Sequence, residues 1–327
     1  MPTLKTSTTH FSKTALTSGD PTGIGFEVIC KALSNIGPQN KTLFFLYRDH
    51  LQTKRQPRFF KLLDRKFYRL TFSSEQEALS HVDQMIKNRT VPKNLLIDLS
   101  LEDTAAHWIL SAAKACLRGD LTSMATGPIS KTLIKKSGFK FMGHTGAFRK
   151  LCPKANLHMA FIGDKFNVLL ATDHIPLNKV PARLSSKTIN SALAAARQLK
   201  ALTRSKKNIG LLGLNPHAGE SGLIGTFEKK CCQKLSNDIS GPLVPDAAFL
   251  KKNWGKYSVY VCLYHDQGLI PFKLVHGQDS GVHITLGLPF VRTSVDHGTA
   301  FDIYNKNLAN PASMIDAIRL NLKLTRG

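Results

Sequence analysis

Short apolar runs recur along the chain. Each is followed by a polar, turn-rich loop and then by a stretch whose apolar positions fall at helical spacing. In the first half, residues 14–17, 43–46, 95–97 and 122–125 read as buried strands. Continuous apolar runs of this length, bounded by turn residues, mark strands covered on both faces. Between them, 26–33 and 103–117 predict helices, the second stopped by Gly119. In the second half, 168–171, 209–214 and 257–264 are the strands. Ser185 or Ser186 caps a helix with Ile189, Leu193, Ala196 and Leu199 on one face, and a further helix is expected over 227–235. The last helix, 311–324, opens on Pro311 and aligns Met314, Ile315, Ile318 and Leu322. Such alternation predicts an α/β protein with a largely parallel sheet and helices on both faces.

A chain of 327 residues exceeds the commonest single-domain size, so two lobes are expected. With 42% hydrophobic and 20% charged residues it can bury a sizeable core. No apolar run approaches the roughly 20 residues of a membrane span. Residues 1–13 are polar and lack the apolar segment of a secretory signal, so a cytoplasmic protein is expected. The 45 Lys+Arg against 22 Asp+Glu leave a net charge of +23. That field attracts phosphorylated substrates, dinucleotides and, non-specifically, nucleic acid. The excess is scattered in pairs such as Lys135-Lys136 and Lys251-Lys252, with no basic arm and no interleaved aromatics. A solvated basic surface without a specific nucleic-acid partner is the reading. The six cysteines form no C-x-x-C pair, which fits small buried side chains in a reducing compartment.

The candidate chemistry lies just past the strands. His174, His217 and His265 each follow one of the three apolar runs of the second half. Ligands collect at the carboxyl edge of an open α/β sheet, and three imidazoles delivered there point to one metal site with an open position. Asp266 can orient a neighbouring imidazole. The loop Gly19-Asp20-Pro21-Thr22-Gly23-Ile24-Gly25 is glycine-rich but is not the dinucleotide fingerprint. His144 and Thr145 can donate to a phosphate, while Lys273, His283 and Arg292 flank the stretch 284–289. Arginine grips phosphate bidentately and lysine adds a point charge. The remaining histidines, among them His10, His50, His81, His107, His158, His276 and His297, read as surface or structural.

In this order, Gly-Asp-Pro-Thr-Gly-Ile-Gly (19–25), Thr-Gly-Pro-Ile-Ser-Lys (126–131), Gly-His-Thr (143–145), Leu-Asn-Pro-His-Ala-Gly-Glu (214–220), Gly-Pro-Leu with Asp246 after it, Tyr-His-Asp-Gln-Gly (264–268) and the long segment 284–300 resemble the 4-hydroxythreonine-4-phosphate dehydrogenase family. The resemblance runs from about residue 14 to 320. It implies two α/β/α lobes with a central cleft, as in the isocitrate and isopropylmalate dehydrogenases, here 1–140 with 293–327 and 141–292. It implies a homodimer with its active site near the subunit interface, NAD or NADP as hydride acceptor, and a divalent metal (zinc, cobalt or magnesium) on His174, His217 and His265. Substrate contacts then fall on His144, Thr145, Lys273, Arg292 and His283, and Asp246 is the candidate general base or orienting carboxylate. No residue is assigned to the nicotinamide cofactor.

Departures from the family pattern are specific. His283 replaces a usual Asn and Gly146 a usual acidic residue. Ser18 and Asp20 replace Pro and Glu, and an extra residue lies between Lys273 and His283. The reaction implied is oxidation of 4-phosphooxy-L-threonine to a 3-keto acid, which decarboxylates to 3-amino-2-oxopropyl phosphate. The competing expectations are a dehydrogenase of 4-phospho-threonate or 4-phospho-erythronate, a phosphotransacetylase-like acyltransferase, and a basic nucleic-acid binder without catalysis.

Overall fold

The computed structural model describes residues 11–141, 143–232, 235–277 and 281–326. His10 and residues 278–280, between Lys273 and His283, lie outside the described residues. The chain divides into two compact units, one running to Leu151 and resuming over Phe290–Arg326, the other Cys152–Pro289. Twelve strands are described: β1 (Ser12–Thr17), β2 (Thr42–Asp49), β3 (Tyr68–Phe72), β4 (Leu95–Leu101), β5 (Ser123–Thr126), β6 (His158–Ile162), β7 (Val168–Leu170), β8 (Ile209–Leu212), β9 (Ile239–Leu243), β10 (Tyr260–Cys262), β11 (Val282–Leu286) and β12 (Val291–Ser294).

In the first unit the strand order is β3-β4-β2-β1-β5-β12, every pair parallel. Side chains alternate across the pleat. Leu16, Phe44, Leu46, Leu96 and Ala125 therefore share one face, where they pack with Phe26, Ile29 and Leu33 of the helix Gly25–Ile36 and with Met314, Ile318 and Leu322 of Ala312–Thr325. Their neighbours Ala15, Phe45, Ile97 and Met124 are buried on the other face. There the helix Ala105–Arg118 packs over β1, β2 and β5. Gly119 ends that helix at φ +84°, a left-handed position that costs a residue without Cβ little. No run of the sequence flagged β3 or the helices Pro57–Asp64 and Glu75–Asn88. β3 is an edge strand with half-exposed or exposed positions, so it lacks an apolar run.

The second unit has the order β11-β6-β7-β10-β8-β9. β7, β10, β8 and β9 are mutually parallel. β6 runs antiparallel to both β11 and β7. Phe161, Phe166, Val168, Leu170, Tyr260 and Phe272 share one face, and the helix Ser186–Leu202 covers the other with Ile189, Leu193, Ala196 and Leu199. Ser185 caps that helix by accepting from the Thr188 N–H.

Candidate active site

β7, β10 and β8 are adjacent and parallel, so the chain leaves all three at the same edge. His174, His217 and His265 lie in the segments that follow. Side chains tie these segments together. Thr172 Oγ1 donates to the Leu263 carbonyl at 2.7 Å. The Gln267 amide accepts from the Leu263 N–H at 2.6 Å and donates to the Gly213 carbonyl at 2.8 Å. Gln267 thus stitches the end of β10 to the end of β8. The structure brings two of the three histidines together, with the His174 and His265 rings 5.1 Å apart between centroids and tilted by 42°. His265 Nδ1 lies 2.7 Å from Asp266 Oδ1. A carboxylate only accepts, so Nδ1 carries the proton and the Nε2 lone pair is left for a cation. That donor chemistry fits a divalent cation of borderline softness. His217 reaches the same edge but stands apart, 65% exposed, with Glu220 Oε2 3.6 Å away. Among the described residues no three His, Cys, Asp or Glu side chains close into a cluster able to hold a metal ion.

The segment carrying His217 has an unusual backbone. His217, Ala218, Gly219, Glu220 and Ser221 all take positive φ, at 51°, 53°, 80°, 40° and 54°. Residues other than glycine pay about 1–2 kcal/mol each for this conformation. Glu228, in the helix Phe227–Cys231, sits against that turn. Its Oε1 accepts from the backbone N–H groups of Leu214 and Asn215 at 2.8 and 2.9 Å, and its Oε2 from Asn215 Nδ2 at 2.9 Å. Burial pushes the carboxyl up, but the donors of Asn215 and Leu214 outweigh it and hold it below the usual range. Sequence reading missed Glu228, Gln267 and Thr172 as site-building residues. Gln267 was visible only as part of Tyr-His-Asp-Gln-Gly, and nothing marked Glu228.

Lys273 is exposed in the last turn of the helix His265–His276. His283 is buried on β11, its ring 5.2 Å from Phe161. Asp246 is exposed in the first turn of Pro245–Ala248. The other three substrate candidates belong to the first unit. His144 and Thr145 open the helix Gly143–Leu151, with the His144 ring stacked 6.5 Å from Phe148. Arg292, on β12, also belongs there. It is 1% exposed, lies over Phe148 at 5.4 Å, and donates from Nη2 to Thr126 Oγ1 at 2.6 Å. Burial pushes its guanidinium down to about 9, still charged near neutral pH. Next to β5, the loops after β1 and β5 are locked together. Asp20 accepts from Thr22 and from Ser130 Oγ, the latter at 2.8 Å, and its N–H donates to the Pro128 carbonyl at 2.9 Å. A Cβ on Gly25 would stand 1.8 Å from the Ser18 carbonyl oxygen, so only glycine allows this approach.

The family model described as "Pyridoxal phosphate biosynthetic protein PdxA" matches residues 57–321. A 4-hydroxythreonine-4-phosphate dehydrogenase of Sulfurihydrogenibium is 34% identical, over 96% of this chain and 98% of that protein. A D-threonate 4-phosphate dehydrogenase of Salmonella typhimurium is 35% identical, over 95% and 98% respectively. The crystal structure of a 4-hydroxythreonine-4-phosphate dehydrogenase from Burkholderia phymatum superposes with a TM-score of 0.76 at 25% identity, covering 96% of this chain and 98% of that one.

Proposed function

We propose, for a chain that belongs to the PdxA family of pyridoxal phosphate biosynthetic proteins, that it is the dehydrogenase that oxidises 4-phosphooxy-L-threonine. The ketone formed is a 3-keto acid, which loses carbon dioxide to leave 3-amino-2-oxopropyl phosphate. His174, His217 and His265 would be the residues that hold a divalent cation, zinc, cobalt or magnesium, of which the first two suit imidazole better. Such a cation would supply polarisation of the reacting oxygen, and NAD or NADP would be the hydride acceptor. Asp266 keeps the proton on His265 Nδ1. His144, Thr145, Lys273, His283 and Arg292 bind the phosphorylated substrate. Arg292, oriented by Thr126, offers paired N–H donors to a phosphate, and Lys273 offers a point charge. Gripping the phosphate away from the reacting carbon supplies positioning. Asp246 takes the hydroxyl proton or orients the group that does. The enzyme works as a cytoplasmic homodimer with its active site near the subunit interface.

The observation that supports this reading is the arrival of His174, His217 and His265 at one edge of β7, β8 and β10, in a chain 34% identical to a named 4-hydroxythreonine-4-phosphate dehydrogenase. The test is NADH formation with 4-phosphooxy-L-threonine and with D-threonate 4-phosphate, each with and without Co²⁺. Higher kcat/KM for the amino compound, dependent on the cation, is expected. The reverse preference reassigns the substrate. His217→Ala keeps the fold, binds the cation much more weakly and loses turnover. Unchanged activity in that variant refutes the ligand assignment.

A further inference from the structure

Glu228 is 7% exposed and sits outside the proposed metal and substrate contacts. A buried carboxylate needs donors, and the donors it has are those of the segment leading into His217. Two of the three backbone N–H groups between the end of β8 and the turn, those of Leu214 and Asn215, point at one oxygen. The Asn215 side-chain amide points at the other. The Asn215 carbonyl then accepts from the Ala218 N–H at 3.1 Å, closing the left-handed turn around His217. The turn also packs on the carboxylate. A Cβ on Gly219 would lie 2.5 Å from Glu228 Oε2, and one on Gly213 3.3 Å from Oε1. A Cβ on Gly225 would strike the Asn215 amide at 2.7 Å, so that amide is wedged between Gly225 and Glu228. Among the described contacts none joins Glu228 to the His217 ring. Its influence on the imidazole passes through the backbone.

We propose that Glu228 is a positioning residue, which anchors the left-handed turn at Leu214 and Asn215 and thereby sets where His217 stands at the sheet edge. The proposal rests on the reading of His217 as a cation ligand. Glutamate is required rather than glutamine. Three N–H donors converge on its two oxygens, and an amide would turn an NH₂ group toward one of them.

The test is calorimetric titration of the full-length protein with Co²⁺, in the parent, Glu228→Gln, His217→Ala and the double variant, with circular dichroism and thermal unfolding alongside. E228Q is expected to fold and to bind Co²⁺ 10–100-fold more weakly, the range found when a residue supporting a ligand is changed. The double variant is expected to bind no more weakly than H217A alone, because Glu228 acts through His217. If H217A weakens binding and E228Q does not, the positioning role is refuted while the ligand reading stands. If the E228Q loss persists undiminished in the H217A background, the effect does not run through His217 and the proposal fails. If H217A itself binds as tightly as the parent, the ligand reading and the proposal fail together. Should E228Q not fold, Asn215→Ala removes one of the three donors and is expected to weaken Co²⁺ binding in the same direction, by less than 10-fold. An unchanged affinity there overturns the proposal.

Discussion

His174 and His265 lie ring beside tilted ring, and Asp266 accepts from Nδ1 of the second. Asp266→Asn is therefore expected to lower Co²⁺ affinity 10–100-fold, measured by calorimetry, with little change in unfolding temperature because Asp266 is exposed. His283 poses a sharper question. Its ring is buried against Phe161, where the family pattern has a smaller amide. His283→Asn is expected to raise kcat/KM for 4-phosphooxy-L-threonine if the site only tolerates the ring. A large loss would show a substrate preference tuned to histidine. Glu228 carries a pH signature as well. Its carboxyl is held below the ordinary value of about 4.3, so the folded state favours the charged form. The stabilisation is complete above the unfolded value and is lost as pH falls through the folded one. Unfolding temperatures measured from neutral pH down to about pH 3 are expected to fall less steeply for E228Q than for the parent.

Among the elements, the sheet of the first unit is held at one place by charge as well as by apolar packing. Asp98 on β4 is fully buried and accepts two hydrogen bonds from Arg48, at 2.6 and 2.8 Å, and one from Arg69 at 2.7 Å. Both guanidinium groups also lie over the Phe60 ring, at 4.6 and 4.9 Å. Removing the anion leaves Arg48 charged and buried. Asp98→Ala is expected to cost about 3–5 kcal/mol in denaturant unfolding. This network joins β2, β3 and β4. With β6, β9, β11 and β12, β3 is one of five strands the apolar pattern overlooked. Its sequence Tyr-Arg-Leu-Thr-Phe is half polar because Arg69 and Thr71 turn toward Asp98. The helix Glu75–Asn88 did carry a readable signal, since Ser74 accepts from the Glu77 N–H in a Ser-x-x-Glu capping arrangement. By contrast, the helices Ala105–Arg118, Ser186–Leu202 and Ala312–Thr325 were legible to within a few residues. Long amphipathic stretches with caps leave a strong periodic trace, and short or edge elements do not.

At the scale of the whole molecule, the chain is basic by 23 charges, yet no described helix is long and apolar enough to cross a membrane. Binding to random-sequence DNA is expected to be weak and to collapse between low and physiological salt, measured by fluorescence anisotropy. Tight binding that survives salt would point to a specific nucleic-acid role. Light scattering is expected to give twice the chain mass, in keeping with the proposed homodimer. A particle of single chain mass would refute it.

The alternation of strands and helices, the strand ends that bear His174, His217 and His265, and the family itself were determined by the sequence, because apolar period and contiguous motifs are local properties of a chain. Tertiary structure alone decided which strands are neighbours and that β6 runs against β7 and β11. It also decided that Glu228, Gln267 and Thr172 hold the histidine-bearing segments. The longer of these links join residues 14, 54 and 91 positions apart, and no pattern along the chain records which buried donor will meet which acceptor.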